Sequence, residues 1–315
     1  MPLPKPRAGE SNNQFLNRCM IDDTMNSEYP NRSQRFAICN SLLSSKGMLL
    51  KQAKRRIANG FHKQIKLAEK KNYPIAYQYY VNEFDKASKM FIENPTISNA
   101  NFNTLFKEED TKKMYGKMYK QTGLRFAKWY ADNFKLFAKK QLSTSAIADN
   151  MERYAKEKEN YLALVREVSA VSGVARVTLE KVLKELLADE TFMGMGEEAR
   201  VREIMKRLKF KARWMARRIV RTETTASANF GIQLSASDIY GDDNLVKEWI
   251  ASGGSRTRET HRTADVRYGN EPIPVNEPYI VGGSRMMFPS DTQLGASAKE
   301  VVNCRCVSIP FVKTD

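Results

Sequence analysis

Cysteine is too sparse in this sequence to build a fold on. Four residues in 315 cannot supply the disulfide scaffold of a small secreted protein. No signal peptide precedes them, so the expectation is folding in a reducing cytoplasm. Long apolar runs are missing too: Lys or Arg interrupts every few positions and no stretch reaches 18 uncharged apolar residues, which argues against a membrane-spanning helix. Acid is in deficit, with 36 Asp and Glu against 52 Lys and Arg and a formal net charge of +16. A chain this basic points to a polyanion or an acidic protein surface as partner, with an ordinary solvated basic surface as the alternative. Wholesale disorder is not indicated, because 42% of the residues are apolar, as in ordinary globular proteins.

The chain divides by texture into three parts. Residues 1–47 are polar, with two apolar nuclei at helical spacing: Phe15, Leu16, Cys19 and Met20, then Phe36, Ile38, Cys39, Leu42 and Leu43. This predicts a small helix-turn-helix, too small for a core of its own, that docks on something else. Cys19 and Cys39 are expected to face each other as buried thiols. Residues 48–190 predict a basic helical region. A first helix carries Leu50, Ala53, Ile57, Phe61, Ile65 and Ala68 and breaks at Asn72-Tyr73-Pro74. Further helices are expected over about 75–91, 104–142, 144–171 and 176–189, with His62 at the surface or in a structural role.

Residues 191–315 begin with a turn at Gly194 and Gly196 and a dense basic helix over about 197–230, which Gly231 is placed to end. Its cations, Lys206, Arg207, Lys209, Lys211, Arg213, Arg217 and Arg218, are the candidate contacts to DNA or an acidic partner by backbone neutralisation. Helical period then fades. "LVKEWIAS", "PYIVGG", "RMMFPSD" and "EVVNCRCVSIPF" read as strands, and "SGGSRTRETHRTADVRYG" as a polar loop. The fold class is therefore α+β: a mostly helical first two-thirds and a small C-terminal module with a short antiparallel sheet.

Cys304-Arg305-Cys306 invites a metal reading, with His261 as third donor. On a regular strand a C-x-C places both thiols on one face about 6–7 Å apart, whereas structural zinc sites usually take C-x₂₋₄-C. The expectation is no metal or cofactor, with two inward-packed thiols; zinc at His261, Cys304 and Cys306 is the alternative. His261 with Arg258 and Asp265 suggests a general base, against which stands a histidine that locks a loop by hydrogen bonding. Arg221 and Glu223 are expected to orient Arg256 or Arg258 through bidentate pairs. No assembled catalytic signature is visible, and the chain is not expected to be an enzyme.

Seventeen positions in order carry a resemblance: Arg221-Thr222-Glu223-Thr224, Ala228, Trp249, Thr257-Arg258, His261, Asp265, Gly269, Pro289, Asp291 and Asn303-Cys304-Arg305-Cys306. This series is similar to that of the phage Mu protein F-like family of minor head, or head morphogenesis, proteins. The chain departs from the family pattern in having "ADVRYG" where Asp-Gly is common. Val302 stands where a His-Pro pair often precedes the Asn. The resemblance implies a virion protein, at the capsid interior or portal vertex and in host cytoplasm during assembly. It implies binding to the portal protein, with major capsid or scaffold protein and genomic DNA as further candidates, and a part in DNA packaging or delivery. The rivals are a metal-dependent nuclease, an ADP-ribosyltransferase-like enzyme, and a nonspecific DNA-binding protein packaged with the genome. The segment "FLNRCM…NSEYP…QRFAIC" also resembles the start of other phage-encoded proteins and suits a docking or packaging tag.

Overall fold

The computed structural model describes residues 12–43, 51–93, 105–134, 143–151 and 177–313, together with residues 4, 7, 10 and 175. Expected helical residues in 135–142 and 152–174 lie outside them. The described part is mostly helical with a three-stranded antiparallel sheet near its C-terminal end, the α+β class that the periodicities imply. No helix among the described residues is long and apolar enough to cross a membrane.

Three short helices, α1 (Asn12–Ile21), α2 (Asp23–Glu28) and α3 (Arg32–Leu43), open the chain where two were expected. Asp22 creates the extra one. Its carboxylate accepts the Met25 N–H at 3.2 Å and caps α2. Phe15, Leu16, Met25 and Ile38 bury together. Cys19 and Cys39 are joined as a disulfide rather than packed as free thiols. The Arg56 guanidinium lies 4.0 Å over the Phe36 ring and docks α3 on the next helix.

That helix, α4 (Lys51–Glu93), runs through Pro74 without the predicted break. A helical proline forfeits one hydrogen bond and crowds the preceding turn, at about 3 kcal/mol. Tertiary contacts on both sides offset this. Ile57, Phe61, Ile65 and Ala68 enter one apolar core, while Ala76, Tyr80 and Phe84 enter another. Between them the buried Asn72 amide donates to Thr122 Oγ1 at 2.9 Å and to Thr224 Oγ1 at 2.8 Å. Helix α5 (Glu108–Phe134) lies beside α4. Short helical stretches follow at 144–151 and 177–187, then α6 (Glu190–Met193), capped by Asp189.

Helix α7 (Glu197–Tyr240) is 44 residues long, about 66 Å at 1.5 Å per residue. It packs on both α4 and α5. Gly231 does not end it but lies inside it, and a Cβ there would stand 2.3 Å from the Gly123 carbonyl oxygen of α5. Glycine is therefore spent on helix–helix approach, not on termination. The helix stops ten residues later, at Gly241 with φ +75°.

The sheet has the order β2-β1-β5, with β1 at Leu245–Ile250, β2 at Ile273–Pro274 and β5 at Val307–Val312. Trp249 faces Ser308 across the β1–β5 ladder. β5 is an edge strand, which accommodates Pro310, and the Pro310 carbonyl accepts the Tyr130 hydroxyl of α5 at 2.7 Å. A two-residue hairpin joins β3 (Tyr279–Val281) to β4 (Ser284–Met286) through Gly282 and Gly283, both at positive φ. The "polar loop" is instead helix α8 (Glu259–Asn270). "EVVNCRC" is not strand either: α9 (Ala298–Val301) comes first, and β5 begins only after Cys306. Leu245, Ile250, Val307 and Ile309 of the sheet share one core with α4, α5 and α7.

Candidate functional site

Helix α7 holds the 303–308 segment by a polar ladder. Thr222, Thr225 and Asn229, at i, i+3 and i+7, present one buried face. Thr222 Oγ1 accepts the Asn303 N–H at 3.1 Å, and Thr225 Oγ1 donates to the Cys304 carbonyl at 2.9 Å. The Asn229 amide donates to the Cys306 carbonyl at 3.2 Å and accepts the Ser308 N–H at 2.8 Å. Asn303 sits at φ +58° and turns the chain between α9 and the extended run. "RTETTASAN" thus serves as a clasp for "NCRCVS" in the middle of its helix, not at its last turns.

The other side of that segment is a pocket of buried side chains. His261, Ala264 and Tyr268 form the inward face of α8. His261 is 1% exposed, Cys304 2% and Cys306 1%. His261 Nδ1 lies 3.3 Å from Cys306 Sγ and 3.6 Å from Cys304 Sγ, and the three donor atoms all fall within 4.8 Å of one another. Strand geometry would have kept the sulfurs apart. The turn at Asn303 and the pre-strand course of 304–306 bring them together, and the Cys306 N–H donates to Cys304 Sγ at 3.4 Å. Both cysteines are free thiols.

His261 Nε2 meets Glu300 Oε2 at 3.1 Å, and the same oxygen accepts the Thr260 hydroxyl at 2.8 Å. Trp249 closes the pocket, its ring 5.3 Å from that of His261 at an interplanar angle of 90°. The buried Trp249 Nε1 has no hydrogen-bond partner among the described residues. Burial alone would raise the Cys304 thiol, but hydrogen bonds from Cys306 and His261 outweigh it and bring it well below the ordinary thiol range. Cys306 moves the other way, pushed well above it by the hydrogen bond with Cys304 and by burial. The pair gives up one proton readily and holds the second. In this conformation neither sulfur is open to a substrate.

The remaining motif residues brace the surroundings. Arg258 Nη2 donates to the Val302 carbonyl at 2.6 Å, and Glu223 receives the Tyr119 hydroxyl at 2.5 Å. Arg305 grips both oxygens of Glu69 on α4 at 2.8 Å, and His62 Nε2 reaches the Arg305 carbonyl at 3.0 Å. Asp291 accepts the N–H groups of Met287 at 2.9 Å and Gln293 at 3.0 Å, and so folds the Pro289–Gln293 turn. Asp265 is half-buried on α8, one turn beyond His261 and outside the His/Cys group.

Glu300 was missed by sequence reasoning. Ser297-Ala298-Lys299-Glu300 carries the S-x-x-E pattern that marks a helix start, and that pattern was available to place it on α9. Beside the site, Lys247 is fully buried, with Nζ donating to the Met287 carbonyl at 2.7 Å and lying 4.8 Å over the Tyr279 ring. Burial lowers it to about 7, against the opposing pull of Asp291 and Glu277.

The second candidate surface lies on the N-terminal half of α7. Lys206, Lys209, Lys211, Arg213, Arg217 and Arg218 are exposed, while Arg207 is half-buried and pairs with Glu203 at 3.3 Å. Among the described residues Lys209, Lys211, Arg213 and Arg217 make no ion pair. Phe210 (69% exposed) and Trp214 (53%) stand among them, and Arg218 lies 5.5 Å over the Trp214 ring. A groove of about 700 Å³ runs along Val201, Met205, Lys209, Phe210 and Arg213. Compared with known proteins, the chain matches no family model, no curated protein and no solved structure.

Proposed function

We propose that the chain is a minor head protein of the phage Mu F-like kind, which binds the portal protein during head assembly and takes part in DNA packaging or delivery. The observation that carries this reading is convergence. The residues of the resemblance span positions 221–306, yet Thr222, Trp249, Arg258, His261, Asn303, Cys304 and Cys306 meet around one short segment. An ordered motif series with a common structural job is what a shared fold requires. The exposed cations of α7 with Phe210 and Trp214 offer a surface for an acidic portal rim.

A second reading draws on the same surface. Exposed aromatics among cations such as Lys209, Lys211, Arg213 and Arg217, which make no ion pair among the described residues, suit the sugar-phosphate backbone and unstacked bases of packaged DNA. Co-expression with the portal protein of the same phage separates the two. The portal reading expects a stable complex, weakened by charge reversal at Lys209, Arg213 and Arg217. Particles that lack the chain yet keep normal composition, infectivity and genome content would sink it. DNA binding that needs no portal and falls steeply with salt would favour the second.

A further inference from the structure

We propose that His261, Cys304 and Cys306 form a binding site for one zinc-class divalent ion, independently of the assembly role above. The first argument is distance. With bonds of about 2.0–2.1 Å to nitrogen and about 2.3 Å to sulfur, tetrahedral zinc sets its N and S donors about 3.6 Å apart. The two N···S separations here are 3.3 and 3.6 Å.

The second argument is orientation. Glu300 Oε2 already accepts the Thr260 hydroxyl and faces His261 Nε2, so with an ion bound Nε2 keeps its proton, while Nδ1 releases to solvent the proton it shares with the sulfurs and turns its lone pair to the ion. A carboxylate behind a histidine is the arrangement that fixes ring and tautomer in metal sites. The third is the buried indole N–H of Trp249, which has no hydrogen-bond partner among the described residues and whose ring packs 5.3 Å from that of His261 at the same pocket; a metal-bound thiolate keeps lone pairs that can receive such a donor. Two thiolates and an imidazole select zinc over magnesium or calcium. On binding, each thiol proton still held passes to solvent as its sulfur bonds the ion. These three donors leave one of the four tetrahedral positions without a protein ligand.

Cobalt(II) titration of the metal-stripped, reduced full-length chain tests this. The expected result is intense visible bands and a thiolate-to-cobalt charge-transfer band that saturate at one equivalent and are displaced by zinc. Cys306→Ser should abolish the charge-transfer band or cut it sharply. Glu300→Gln should weaken binding about 10–100-fold, and the Cys19→Ser/Cys39→Ser pair should leave the bands unchanged. Weak bands of octahedral cobalt, or no bands from wild-type chain whose Cys304 and Cys306 are shown to be reduced, overturn the proposal without recourse to any variant.

Discussion

Glu300 and His261 form a buried pair, Oε2 to Nε2 at 3.1 Å, that ties the first turn of α8 to α9. Each is about 1% exposed. Removing one member leaves the other without its partner away from water. Glu300→Ala should therefore cost about 3 kcal/mol in urea unfolding, and Glu300→Gln, which keeps an acceptor for Nε2–H, distinctly less. Equal losses for the two would show that packing, not the hydrogen bond, is what Glu300 supplies.

Gly282 backs this pair from behind. A Cβ at Gly282, with φ +55°, would stand 2.4 Å from Glu300 Oε1, whereas one at Gly283, with φ +78°, meets nothing within 4 Å. Both substitutions to alanine carry the cost of the left-handed backbone, about 1–2 kcal/mol. Gly282→Ala adds displacement of Glu300 and should be worse by at least about 1 kcal/mol. Paired thermal melts of the two variants beside wild type check the difference.

The α5–α7 crossing makes a sharper comparison. Alanine at Gly231 would press on the backbone of Gly123, while alanine at Gly116 meets nothing within 4 Å. Gly231→Ala should destabilise by about 3 kcal/mol, because backbone cannot step aside as a side-chain tip can. Gly116→Ala should stabilise by about 0.5–1 kcal/mol through helix propensity. Chemical denaturation of the two variants beside wild type reads both signs at once.

Lys247 predicts a pH dependence. Its folded value of about 7 lies below the ordinary 10.5, so between those limits the unfolded chain binds a proton that the folded chain does not. Stability from this residue rises with pH across that window, by up to about 1.4 kcal/mol per unit, and is lowest below pH 7. Urea midpoints measured from pH 7 to 9 should climb, and Lys247→Met should flatten the slope. A wild-type slope of zero would mean that the amine stays charged in its pocket.

The long periodic elements were legible because their apolar spacing repeats: Ile57, Phe61, Ile65 and Ala68 mark α4 as surely in the sequence as in the fold. The errors fall where tertiary contact overrides a local signal. Pro74 reads as a break until Asn72 is seen bonded to two other helices, and Gly231 reads as a stop until Gly123 is seen against it. Helix α8 was hidden because only His261, Ala264 and Tyr268 mark its inward face amid charged residues. The C-x-C was judged by strand spacing, and the positive φ of Asn303, which changes that geometry, leaves no sign in composition. The basic α7 face was legible residue by residue, because exposure of Lys and Arg needs no partner to explain it.

The grip of Arg305 on Glu69, with His62 on the Arg305 carbonyl, joins positions 236 and 243 residues apart. During synthesis, the apolar stripe of Ile57, Phe61 and Ile65 can meet Phe126 and Tyr130 of α5 early, but the core they share stays incomplete until Val307 and Ile309 arrive. The nascent chain therefore carries a partly open apolar core until its last residues are made. Its yield in a cell should consequently depend on chaperone capacity and growth temperature more than the stability of the finished protein alone implies.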